Sequence, residues 1–315
     1  MRRGVKRLRR RALYGVISVV LPLIRLLPWD LAGSLGYRLG QMGYFLARRE
    51  RTLALQHLEA SLGDRHSESE RRAICLAMFG NIGRGALEFP LVRRKLGAPL
   101  RRMVDGDHLL GQVKKMLEQG KGAILITGHL GNWELSGAYV AMHFPLNVVA
   151  RRIYYEPFER IVLRTRAELR MKIVYRDESP RKLLRGLRRN ECVTFLADQD
   201  MTDVQGVFVD FFGRPAYTAT GPISLAIHSG APVLLVLVVR DGKRFRSIDE
   251  PVELVRTGNR KDDLRINTQR WSEILEKYIA MYPDQWPWYH RRWKTTEEVL
   301  ERRRKQGRAG RRPRR

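Results

Sequence analysis

Between residues 122 and 239, short apolar runs of strand length alternate with stretches of helical spacing. Strands are expected at Gly122–Thr127, Leu146–Ala150, Lys172–Tyr175, Cys192–Ala197 and Pro232–Val239, with helices at Leu135–His143, Pro157–Arg170, Pro180–Arg189 and Thr220–Ser229 between them. Strands with apolar residues on both faces need helical cover on both sides, and strand–helix–strand connections make neighbouring strands parallel. The expected class is α/β, a mostly parallel central sheet flanked by helices.

The flanks read differently. Leu31 to Leu62 reads as helices, with Ala32, Leu35, Leu39, Met42, Phe45 and Leu46 at helical spacing and an arginine face at Arg48, Arg49 and Arg51. Ser67-Glu-Ser-Glu70 signals an N-cap for a helix to about Phe89, and a long helix is expected over Asp262–Tyr282. The expected organisation is a basic leader and apolar anchor over 1–30, one folded domain over 31–300 (helical to 105, α/β from 106) and a basic disordered tail over 301–315. In the leader, seven Lys and Arg between Arg2 and Arg11 precede the apolar run Ala12–Pro28. Pro22 and Arg25 interrupt that run short of the roughly 20 apolar residues of a full span, so an interfacial helix with its basic end on an anionic surface is expected.

Charge enters at this point: 60 Lys plus Arg against 33 Asp plus Glu leave +27, suited to polyanions in general. Nucleic acid is the alternative from another class, but no recognised binding module appears and the apolar N-terminal segment would be left without a role. Cys75 and Cys192 stand far apart in apolar surroundings and read as buried free thiols. No phosphate-binding glycine loop, serine-hydrolase elbow or zinc-protease motif appears, and no metal site is expected.

The chemistry concentrates where the strand ending at Thr127 meets a helix starting near Asn132, across Gly128-His129-Leu-Gly131-Asn-Trp-Glu134. Strand carboxyl ends are the usual ligand sites of open α/β sheets. On an unbroken helix, His129 and Glu134 would stand about 140° apart, so Gly128 and Gly131 are expected to turn the carboxylate back towards the imidazole. A neutral His can then take the proton of an attacking hydroxyl while Glu134 orients the ring. Asp198-Gln199-Asp200 follows the strand ending at Ala197, again at a carboxyl end, where carboxylates can orient a cationic neighbour or hold sugar hydroxyls. The aromatics at Phe208–Phe212 and at Trp286, Trp288, Tyr289 and Trp293 read first as core, with an acyl pocket or headgroup zone as the alternative. His290-Arg-Arg-Trp-Lys294 reads as a basic, membrane-facing rim.

GHLGNWELSG, LADQD, FVDFFGRPAYTATGP, GAPVL and YPDQWPWYHRRWK occur in this order, and from the N-terminal anchor to about Lys294 the chain resembles the bacterial lipid A biosynthesis (late, or secondary) acyltransferases of the lysophospholipid acyltransferase superfamily. The resemblance implies that His129 and Glu134 are the catalytic pair of an H-x(4)-[DE] motif. The candidate substrate-binding residues are Asn132, Arg164, Arg166, Asp198, Gln199 and Asp200, with Arg151 or Arg152 as alternatives to the helical arginines. It further implies a lipid A precursor as acceptor, an acyl carrier protein thioester as donor, no cofactor, and a place on the cytoplasmic face of a bacterial inner membrane. Phosphatidylinositol mannoside or aminolipid acceptors and an acyl-CoA donor are the alternatives within the same chemistry.

Overall fold

A computed structural model describes residues 15, 21–153, 155–178 and 180–309. Most of the basic leader and apolar run therefore lies outside the described residues, as does the end of the basic tail. Helices α1 (Trp29–Leu46), α2 (Arg48–Leu62) and α3 (Glu68–Glu88) form the first third. The Ser67 hydroxyl accepts from the Glu70 N–H while the Glu70 carboxylate accepts from the Ser67 N–H, the reciprocal cap that the sequence signals. On α1 the small residues face inward, with Ala32, Gly33 and Gly36 buried, whereas Leu31, Leu35, Leu39, Met42, Phe45 and Leu46 are exposed. α1 and α3 approach so closely that a Cβ on Gly36 would sit 2.5 Å from the Gly83 carbonyl oxygen and one on Gly40 2.1 Å from that of Phe79. Among the described residues no helix is long and apolar enough to cross a membrane.

The α/β body follows: α4 (Ala98–Met103), β1 (Val104–Asp105), α5 (Asp107–Leu117), β2 (Ala123–Thr127), α6 (Trp133–Ala141), β3 (Leu146–Ala150), α7 (Glu156–Glu168), β4 (Met171–Tyr175), α8 (Arg181–Arg188) and β5 (Cys192–Leu196). Then come β6 (Gly206–Phe211), β7 (Arg214–Ala219), α9 (Gly221–Ser229), β8 (Val233–Asp241), β9 (Arg244–Pro251) and α10 (Arg260–Met281). Seven strands make one sheet in the order β1-β9-β8-β2-β5-β3-β4. Every neighbouring pair is parallel except β8–β9. The central strands are buried on both faces, between one apolar cluster reaching α10 and the Trp286–Trp288 segment and another reaching α6 and α5.

Two features depart from the expectation. β9 returns beside β8, and β6–β7 form a separate antiparallel hairpin across Phe212-Gly213, both at positive φ (54° and 69°). That aromatic-rich turn supplies the twist a tight hairpin needs, which aromatic content alone conceals. The C-terminal segment expected to be disordered from 301 is helical as far as Ala309, as α11 (Glu297–Ala309), a helix opened by Glu297 and Glu298. Over residues 301–309 the chain thus prolongs a helix whose acidic first turn suits its dipole.

Candidate active site

β2 and β5 are parallel neighbours with Thr127 opposite Leu196, so the two chains leave the sheet side by side. Two residues on, His129 meets Asp198. The His129 N–H donates to Asp198 Oδ2 at 2.8 Å and Nδ1 lies 2.6 Å from Oδ1. An ionised carboxylate only accepts, so Nδ1 carries the proton and Nε2 keeps the lone pair. The Gln199 amide nitrogen stands 3.2 Å from that Nε2. A third donor, the buried Trp286 indole N–H, reaches Asp198 Oδ2 at 2.9 Å. Burial alone would raise the Asp198 pKa, but the His129 ring and backbone N–H, with His290 nearby, more than offset this and hold it well below the carboxylate range.

The loop carrying His129 is pinned from beneath. Gly131 has φ +70°, and a Cβ there would lie 2.1 Å from the Val238 carbonyl oxygen, so only glycine lets the loop rest on β8. The Gly131 N–H donates to the Gln285 carbonyl at 3.0 Å and the Asn132 N–H to that of Val238 at 2.8 Å. Asn132 caps α6, its side-chain oxygen accepting from the Leu135 N–H at 3.0 Å, and its amide nitrogen reaches the buried Glu88 at 3.4 Å. Glu88 is paired with Arg240 from the end of β8.

Glu134, in the first turn of α6, does not serve as the partner of His129, which corrects the expectation that the glycines fold it back onto the ring. Its carboxylate takes a two-pronged contact from Arg166 of α7, Nη2 to Oε1 at 2.5 Å and Nε to Oε2 at 3.2 Å. Asp198 lies against the ring instead, accepting from Nδ1–H. Of the two helical arginines, Arg166 faces inward and Arg164 points out, its side chain 78% exposed beside Glu168. Arg152 lies over the Tyr175 ring and pairs with Asp177, while Arg151 lines the cavity. Asp200 is occupied in holding the chain after α10: the Thr295 N–H and hydroxyl donate to its two oxygens at 2.8 and 2.6 Å, and Lys294 donates to its carbonyl.

His129, Glu134, Arg166 and Gln199 line a cavity of about 1030 Å³ together with apolar residues such as Val140, Leu146, Val148, Met171, Val174 and Leu184. Its lining also carries the cations Arg151, Arg176 and Lys294, the latter two engaged by Asp203 and Asp200. A long hydrocarbon chain suits the apolar share of that lining and an anionic headgroup its cationic share. Cys75 and Cys192 are free and buried, and burial pushes both thiols up to about 12, so neither supplies a thiolate. Trp286 and Trp288 are core residues. His290, unremarked in the sequence as a site residue, packs edge-on against His129 with ring centres 4.9 Å apart, and burial pushes its pKa down to about 4. Among the described residues no group of three or more His, Cys, Asp or Glu is placed to hold a metal ion.

An α/β sheet with a carboxylate-paired histidine at its strand ends, lining a cavity with a large apolar share, suits an acyl-transferring enzyme. The chain belongs to the bacterial lipid A biosynthesis acyltransferase family, whose model matches residues 5–295. It is 28% identical to the lipid A biosynthesis lauroyltransferase of Escherichia coli K12 over 288 residues, 89% of this chain and 90% of that one. To the phosphatidylinositol mannoside acyltransferase of Mycobacterium tuberculosis it is 30% identical over 225 residues, 69% of this chain and 68% of that one. With the lipid A biosynthesis palmitoleoyltransferase of E. coli K12 it shares 27% over 273 residues, 85% and 87% of the two chains.

Proposed function

We propose that this acyltransferase moves a fatty acyl chain from an acyl carrier protein thioester directly to a hydroxyl of a lipid A precursor at the cytoplasmic face of the inner membrane, with His129 as general base. The observation that carries this reading is the His129–Asp198 pair, which engages Nδ1 and leaves Nε2 of a cavity-lining histidine to act as base. The acceptor hydroxyl displaces the Gln199 amide from Nε2 and gives up its proton there as its oxygen attacks the thioester carbonyl. Collapse of the tetrahedral intermediate breaks the carbon–sulfur bond, and the proton passes from Nε2 to the leaving thiolate. Asp198 fixes the tautomer and stabilises the imidazolium. Arg166, oriented by Glu134, is suited to an acceptor phosphate or to the developing oxyanion. The exposed apolar stripe of α1 supports a membrane-surface setting.

Mass spectrometry of the total lipids of the source bacterium, with and without the gene and complemented by wild type or His129→Ala, tests acceptor and base together. A lipid A lighter by one acyl chain, restored by wild type alone, is the expected result. A lighter phosphatidylinositol mannoside with unchanged lipid A would replace the acceptor, an outcome that the mycobacterial relative makes specific. Restoration by His129→Ala would overturn the base.

A further inference from the structure

A second cleft of about 660 Å³ lies away from His129, where the start of α2, the start of β7 and the segment after α10 converge. Its charged lining is Arg48, Arg49, Arg214, Arg291 and Lys294, and no carboxylate lines it. Lys294 also lines the large cavity, so the two spaces adjoin. Its amine is already engaged with the Asp200 carbonyl. Among the described residues, Arg48, Arg49 and Arg291 have no ion-pair partner, so the cleft carries an excess of positive charge. Arg48 and Arg49 also open α2, whose N-terminal amides receive no side-chain cap and whose first turn carries one acid, Glu50, that does not line the cleft.

Arg214 lies over the Trp293 ring, 4.4 Å from the centroid, and lines the same cleft. His57 lines the same cleft and binds the Trp288 carbonyl through Nδ1 at 2.7 Å, which leaves Nε2 uncommitted by that bond. The apolar stripe of α1 ends at Phe45 and Leu46, 62% and 80% exposed, directly before Arg48. Apolar side chains running into unpaired arginines suit a ligand that is both greasy and anionic, and a soluble phosphate or an acidic protein surface would leave the stripe unused.

We propose that this cleft is a second binding site, taking the phosphate of an anionic lipid headgroup while the α1 stripe rests among the acyl chains. The headgroup site seats the enzyme so that the adjoining cavity, through the Lys294 side, faces the bilayer from which a lipid acceptor would enter. The proposal rests on the reading of a lipid acceptor met at a membrane surface, yet its test reads binding and needs no turnover.

The test compares binding of the full chain to phosphatidylcholine vesicles with and without phosphatidylglycerol. One variant carries Arg49→Gln, Arg214→Gln and Arg291→Gln; the other carries Arg185→Gln, Arg188→Gln and Arg244→Gln, three exposed arginines outside the cleft, and keeps the same net charge. The cleft variant is expected to lose about tenfold or more in affinity for the anionic vesicles and the control less than about threefold. Equal losses in both would reduce the effect to general charge and overturn the site. Unchanged vesicle binding with lost binding to an acidic acyl carrier protein would overturn the lipid assignment. Should Arg214→Gln fail to fold, the exposed pair Arg49→Gln and Arg291→Gln carries the same comparison, with about a threefold to tenfold loss expected. A failure here leaves the lipid analysis of the deletion strain untouched, and the converse also holds.

Discussion

At His129 the question is which carboxylate holds the ring, and the bond lengths answer it: Asp198 receives the Nδ1 proton while Glu134 is taken by Arg166. The two acids should therefore fail differently. Asp198→Asn keeps the volume but can hold the ring in either tautomer, so turnover should fall by roughly two to four orders of magnitude with the fold retained. Glu134→Gln leaves His129 oriented but frees Arg166, so single-turnover kinetics at varied acceptor concentration should show a larger effect on acceptor KM than Asp198→Asn does. A wild-type rate in Asp198→Asn would return the ring-orienting role to another group. Both acids stand in conspicuous sequence contexts, each just past a strand end. Choosing between them needed the register of β2 against β5, which no local pattern carries.

Among the elements, α1 shows that helical spacing locates a helix without saying which face is buried. Its leucines have the spacing of a core face, yet they lie outside, and the buried face is the glycine stripe against α3. Glycines permit backbone approach that no larger residue allows, so the contact is strong in dispersion although it buries few large side chains. Gly40→Val should lower unfolding stability by about 3 kcal/mol, because its Cβ has only the Phe79 carbonyl to meet. Leu39→Gln on the exposed stripe should change it by less than about 0.5 kcal/mol. Urea titrations of the two variants check this, and a large loss in Leu39→Gln would show that the stripe is covered within the protein. Strands β2 to β5 and β8 and the helices between them were legible because each has its own period; α4, β1 and α5 were not read as elements, nor were β6, β7 and β9, since hairpin pairing depends on turns and partners rather than on the apolar rhythm.

For the whole molecule, the buried histidines set an acid limit. His290 takes up its proton near 6.5 in the unfolded chain but only near about 4 when folded, because burial disfavours the charged ring. Its contribution is complete above 6.5 and is lost as pH falls towards about 4, and His57, lowered by burial as well, acts in the same direction. Glu88, Asp249 and Glu276 are raised by burial and act in the opposite sense at acid pH. Comparing urea unfolding of wild type with His290→Phe from neutral pH to pH near 4 isolates the histidine, and the wild type should lose on the order of 3 kcal/mol more than the variant. Parallel curves would remove His290 from the account.

What the sequence determined unaided is local: the strand and helix periods of the body, the capping box at Ser67, the buried thiols, and a histidine at a strand's carboxyl end within five ordered motif blocks. Periods and caps are legible because they arise between residues a few positions apart, where geometry follows from the chain itself. The tertiary structure decided the pairings. Asp198 reaches His129 across 69 residues, Arg166 reaches Glu134 across 32, and the basic cleft joins α2 to the segment after α10. Such contacts depend on which strands become neighbours and in what register, a global outcome of burying both faces of one sheet at once.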